Sequence, residues 1–172
     1  MREPSATVAR MFAAQPRVAW FNGAGFTTEL VSFDDSARLW PDLAPWRLSV
    51  AELTRTGPFS PVPGVTRSFC PVGGDVVLRV DGRETRVGEL EVLTFDGGAD
   101  TALLELPSAC HAVNLMTRDD ARARVSMRLD SGPASRSGLA VVRLDRGARF
   151  DVLAPPDDVA VPRLRIERSA QA

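Results

Sequence analysis

Residues 46–67 read WRLSVAELTRTGPFSPVPGVTR, and this stretch decides the fold class. Trp46, Leu48 and Val50 fall on one side of the chain and Arg47 and Ser49 on the other, the period of two that marks a β-strand. The strand runs into Gly57, Pro58, Pro61, Pro63 and Gly64, residues that reverse and stiffen a backbone. The chain then returns through Thr66 and Arg67. Two arginines and two serines, Arg47, Ser49, Ser60 and Arg67, are thereby held near one corner, which reads as the rim of a binding pocket.

The same period recurs on both sides of that corner. Val18 to Trp20 predicts a short strand entering the glycine-rich bend Asn22-Gly23-Ala24-Gly25, and Thr27 to Phe33 is rich in β-formers. Residues 34–45 predict a loop with room for one helical turn. Beyond the corner, Asp81-Gly82 is a strong type I′ hairpin signal between strands at 75–80 and 83–87. Strands are also expected at 90–95, 101–106 and 111–116, then around Val125 to Leu129, Ala140 to Leu144 and Leu164 to Glu167. In these last three, Arg128, Arg143 and Arg165 occupy the polar positions. Asp119 to Val125 is open to a short helix, and Pro155-Pro156-Asp157-Asp158 to a loop. About ten short strands with frequent turns predict an all-β jelly roll or barrel, with an immunoglobulin-type sandwich as the alternative.

A chain of 172 residues suffices for one core-forming domain without staples. The domain is expected over 16–172, with 1–15 as an N-terminal arm. Its 21 basic and 22 acidic residues are interspersed, a balance that favours neither nucleic acid nor an anionic membrane. The opening MREPSATVAR lacks the apolar core of a signal peptide, and no run approaches a bilayer span, so a cytoplasmic location is expected. Every basic side chain is arginine, which removes lysine Schiff-base chemistry. Cys70 and Cys110 are expected to be buried and reduced.

Three blocks resemble the HutD/Ves proteins of the cupin superfamily. The first is Trp20-Phe21-Asn22-Gly23-Ala24-Gly25-Phe26-Thr27-Thr28-Glu29-Leu30. The second, and most specific, joins Trp46-Arg47-Leu48-Ser49-Val50-Ala51 to Gly57-Pro58-Phe59-Ser60 and Pro63-Gly64-Val65-Thr66-Arg67. The third is Phe95-Asp96-Gly97 with Asn114-Leu115-Met116-Thr117-Arg118. Phe21 and Thr28 depart from it, standing where a basic side chain is expected, and Ala24 replaces a glycine; these departures bear on ligand charge. The resemblance implies a cupin-like jelly-roll β-barrel, single or as a compact two-barrel (bicupin) arrangement, associated in some bacteria with histidine utilisation.

Catalytic cupins commonly hold a metal with two or three imidazoles and a carboxylate, whereas His111 is the one histidine here. No metal or other cofactor is therefore expected. Cys110 neighbours His111 in sequence, and adjacent strand residues point to opposite faces, which disfavours a thiol–imidazole pair. Arg47 and Arg67 have the best positive reading, since a guanidinium presents a planar fork to a carboxylate or phosphate. Pairing with an internal carboxylate such as Glu29 or Glu52 is an equal alternative. The candidate ligand-binding set is Arg47, Ser49, Ser60, Arg67, Asn114, Glu29, Trp20 and Phe59. The expected partner is a small polar or anionic metabolite, with a regulatory or buffering role and a homodimer allowed. The competing reading is an enzyme: a metal-free isomerase, or a weak metal-dependent hydrolase or oxygenase built on His111.

Overall fold

The computed structural model describes residues 9–133, 138–147, 149–155 and 162–169. Most of the expected N-terminal arm and most of the loop at 155–158 lie outside the described residues. In chain order the elements are β1 (Arg17–Ala19), β2 (Gly25–Val31), α1 (Phe33–Leu39), β3 (Trp46–Leu53), β4 (Gly57–Pro58), β5 (Val65–Val72), β6 (Val76–Val80) and β7 (Arg83–Val87). They continue with β8 (Leu93–Asp96), β9 (Thr101–Glu105), β10 (Cys110–Arg118), β11 (Val125–Asp130), β12 (Ala140–Arg143), β13 (Val152–Leu153) and β14 (Arg163–Arg168).

These strands form three antiparallel sheets. A six-stranded sheet in the order β1-β2-β3-β10-β5-β8 is faced by two four-stranded sheets, β4-β9-β6-β7 and β11-β14-β12-β13. Each outer sheet closes its own apolar core against the six-stranded one. Leu53, Phe69, Leu78, Leu103 and Ala112 belong to the first core, and Trp46, Leu48, Val50, Val113, Leu115, Leu164 and Ile166 to the second. The molecule is thus the expected all-β, cupin-like jelly roll in a two-lobed form whose lobes share one sheet. The sheets stay open and do not close into barrels.

This sharing explains why β3 and β10 are buried on both faces, as strands covered on both sides must be. Residues of one parity pack into one lobe and residues of the other parity into its neighbour. Ser49, expected on the strand face opposite Trp46, Leu48 and Val50, is 3% exposed for this reason.

Local chemistry accounts for the turns. Asp81 and Gly82 have φ of 47° and 81°, the doubly positive geometry of a type I′ hairpin. Gly25 starts β2 where a Cβ would lie 2.2 Å from the Glu52 carbonyl oxygen, so only glycine lets the two backbones approach. The region expected as a loop holds α1, a two-turn helix capped by the Ser32 hydroxyl, which accepts from the Asp35 N–H at 3.0 Å, with Asp34 and Asp35 in its first turn. Ser36 in turn accepts from the Trp46 N–H at 2.8 Å and ties this helix to the start of β3.

Three expectations are corrected. Residues 119–125 are not helical: a bend follows β10, and β11 begins at Val125. Leu129, expected inside, is 38% exposed because it sits at the end of β11. Arg165, expected on a solvent face, is fully buried together with Arg163. The alternation itself holds, with Leu164 and Ile166 facing the six-stranded sheet. The opposite face of β14 is roofed by the chain after β11, where Asp130 accepts from Arg165 at 2.9 Å and from Arg163 at 3.2 Å. Arg163 also donates to the carbonyls of Gly132 and Pro133. The described end of the N-terminal arm holds one 3-10 turn, Phe12–Ala14, and is tied down: Arg10 pairs with Val152, and the Phe12 N–H donates to Asp151 at 2.8 Å.

Candidate functional site

The first lobe contains a half-open pocket of about 530 Å³ at one end of the shared sheet. Its floor is supplied by the pocket-side residues of three adjacent strands: Arg47, Ser49 and Ala51 from β3, Asn114 and Met116 from β10, and Arg67 from β5. The proline-rich corner forms one wall with Phe59 and Ser60, and the turn between β1 and β2 forms another with Trp20, Phe21 and Asn22. The corner is pinned from below, since the Phe59 N–H donates to the Thr101 carbonyl at 2.8 Å and the Val62 N–H to the Gly97 carbonyl at 2.7 Å. Gly97 must be glycine here, because a Cβ would stand 2.4 Å from Val65.

The two arginines differ electrically. Arg47 forms an ion pair with Glu29 through Nε and reaches Ser49 Oγ at 3.4 Å. Arg67 is 9% exposed, and its Nε donates to Asn114 Oδ1 at 3.0 Å, its one hydrogen bond among the described residues. Its guanidinium lies 4.7 Å from the Phe59 ring centre and 5.9 Å from that of Phe95, contacts that partly offset the loss of water around the charge. Burial, with the nearby Arg47 charge, pushes the Arg67 pKa down to about 10, which leaves it cationic at neutral pH. Arg67 is thus a buried cation that faces a cavity with no carboxylate partner among the described residues, an arrangement whose chemistry suits an anion.

Seven of the eight candidate residues, Arg47, Ser49, Ser60, Arg67, Asn114, Trp20 and Phe59, line this one pocket. Glu29 does not; it stands behind Arg47 as its counter-ion. Asn22 lines the rim, but its Oδ1 accepts from the Ala24 N–H at 2.9 Å, the turn-forming use of asparagine. Sequence reasoning missed Thr27, Ala51, Val62 and Met116, whereas Pro58 and Pro61 belong to the corner it read as the rim and Phe21 to the positions it tied to ligand charge. Strand parity could have found Ala51 and Met116, which lie two residues beyond Ser49 and Asn114 on the same faces.

His111 lies elsewhere. It projects from the opposite face of β10, 5.0 Å centre to centre from Phe150, with Nε2 3.8 Å from Glu52. Burial lowers its pKa, Arg149 and Arg17 add to that, and the Glu52 charge opposes it. Cys110, on the pocket-lobe side of the same strand, and Cys70, on the other side of β5, are both buried free thiols. The metal of catalytic cupins does not fit the pocket: its lining offers guanidinium, hydroxyl and amide groups, and two cations repel a third. Among the described residues no group of three or more His, Cys, Asp or Glu is placed to hold a metal ion, and no helix is long and apolar enough to cross a membrane.

Comparison with known proteins gives a consistent result. The family model described as HutD matches residues 11–146. Protein Ves of Citrobacter koseri is 33% identical over 129 residues, covering 72% of this chain and 65% of that protein. An uncharacterised protein in the hutC 3′ region of Pseudomonas putida is 34% identical over 103 residues, covering 59% of this chain and 53% of that protein. The matches therefore span between half and two thirds of the length of these relatives. The solved structure of HutD from Pseudomonas fluorescens SBW25 superposes with a TM-score of 0.71 at 20% identity, covering 96% of this chain and all of that one, a likeness of fold.

Proposed function

The chain belongs to the HutD family, and we propose that it binds a small anionic metabolite, a carboxylate, in the pocket between the proline-rich corner and the shared sheet. The observation that carries this reading is Arg67: buried, cationic, lining a cavity, and with its side chain hydrogen-bonded, among the described residues, only to the neutral Asn114. Arg47 supports it from β3, two strands away on the same floor, and the hydroxyls of Ser49 on the floor and Ser60 on the corner wall line the same pocket to complete a carboxylate's acceptor sites. The lining, as described, carries no His, Cys, Asp or Glu. Binding, with a regulatory or metabolite-buffering role, therefore fits this geometry better than a reaction needing a general base.

One relative lies in the hutC 3′ region of its genome, which makes acids from histidine breakdown a natural part of the ligand panel. The test is calorimetric titration of the full chain with a panel of mono- and dicarboxylates, repeated with Arg67→Met. Saturable binding that the substitution removes supports the proposal. A folded variant that binds every hit unchanged overturns it.

A further inference from the structure

Resting on the carboxylate reading above, we infer that the ligand is a monocarboxylate with a flat apolar body, an aryl or arylalkyl carboxylate whose ring lies among Trp20, Phe59 and Phe21. Charge comes first. The pocket is lined by two cations, of which Arg47 is already compensated by Glu29, leaving Arg67 as the one without a carboxylate partner among the described residues. One uncompensated cation matches one carboxylate.

Size comes second. A cavity of about 530 Å³ far exceeds what a carboxylate group fills, so most of the space belongs to the ligand's body.

Three aromatic side chains make much of the wall around that space apolar. Trp20 spends its only donor internally, on Thr27 Oγ1 at 2.7 Å, and so offers the pocket ring carbons alone. Phe59 stands edge-on to it with ring centres 6.4 Å apart, the arrangement into which a further ring packs. Phe21, next in the chain, lines the mouth and is fully exposed, at 112% of its reference area. A bound ring reaching the mouth would shield this side chain from water, a gain that a short anion cannot provide. A further cation, Arg55, stands past the Asn22 and Pro58 rim, where it donates to the Asn22 carbonyl at 2.9 Å. A dicarboxylate able to span to it is the competing ligand.

The experiment titrates the full chain with benzoate, 3-phenylpropanoate, acetate and glutarate at one pH and ionic strength. The aryl acids are expected to bind roughly tenfold or more tighter than acetate and glutarate. Phe21→Ser, at a fully exposed position, is expected to narrow the aryl-over-acetate ratio by about threefold or more. Glutarate binding tighter than both aryl acids, or an aryl-over-acetate ratio unchanged in Phe21→Ser, overturns the inference and leaves the carboxylate reading standing. No saturable binding of any of the four overturns both.

Discussion

Arg67 and Asn114 sit on neighbouring strands, two positions out of register, with their side chains on the same face of the shared sheet. Met116 is the residue directly opposite Arg67, and Phe69 is opposite Asn114. The diagonal lets Arg67 Nε reach Asn114 Oδ1 at 3.0 Å while the rest of the guanidinium is left to the cavity it lines. Asn114 therefore aims the cation without neutralising it.

Arg67→Met keeps most of the side chain's bulk and removes its charge. Carboxylate affinity is expected to fall by roughly 10- to 100-fold, as for loss of a charge-assisted hydrogen bond. Because a desolvated charge is removed, thermal stability is expected to hold or rise. Calorimetric titration with a thermal melt on the same sample checks both, and a large drop in melting temperature would mean that Arg67 ties strands together.

Glu29→Gln releases Arg47 from its counter-ion and raises the positive charge of the pocket by one. Affinity for a dicarboxylate such as glutarate is expected to rise by roughly three- to tenfold, more at low salt than at high salt. Equal affinities in the variant and the parent would show that Arg47 does not reach the ligand.

The thiols of Cys70 and Cys110 are both free and buried. Burial raises the Cys70 pKa to about 12, and burial with the Glu89 charge raises that of Cys110. At pH 8 the native protein is expected to react slowly with a thiol reagent and to give two equivalents only after denaturation without reductant. Fewer than two would reveal a disulfide.

Acid sensitivity should have a histidine component. The folded-state pKa of His111 lies below its ordinary value of 6.5, so below that pH the unfolded chain takes up the proton more readily than the folded one. Stability from neutral His111 is thus complete above about 6.5 and lost as pH falls towards the folded pKa. His111→Asn is expected to flatten the melting temperature between about pH 5 and 7. An unchanged slope would assign the acid sensitivity to other groups.

Gly25→Ala and Gly82→Ala form a matched pair. The first places a Cβ 2.2 Å from a backbone oxygen and is expected to cost roughly 1–3 kcal/mol or more. The second has open space but φ of 81°, and is expected to cost about 1–2 kcal/mol from conformation alone. Denaturant melts compare them, and a Gly25→Ala protein as stable as Gly82→Ala would show that β2 can shift away from β3.

Much of this arrangement is legible in the sequence because strand parity is local. Arg47 and Ser49 share a face by spacing alone, and the Gly57 to Gly64 corner carries its own turn chemistry. Burial on the second face was not legible, since Leu48 and Val50 look the same whether Ser49 meets water or another sheet. Arg165 illustrates the same gap, because its cover comes from distant chain rather than from its neighbours. The helix at Phe33–Leu39 was legible only as room for one turn because it is short, although the spacing of Ser32 and Asp35 is a cap signature. Phe21 was legible only as a departure bearing on ligand charge, because nothing in a turn's sequence tells whether an aromatic faces a pocket or the solvent.

The common wall between the two lobes makes each of its strands carry two instructions at once. Inserting or deleting a single residue within Trp46–Leu53 would exchange their contents, sending Arg47 and Ser49 into a greasy interior and Leu48 and Val50 into the pocket. Neither lobe can be cut away without baring a face of the shared sheet, and the pocket cannot drift by small length changes in this strand. Variation in what the pocket accepts is therefore left to the edges, where the Trp20 to Gly23 turn and the proline corner can change without disturbing the wall.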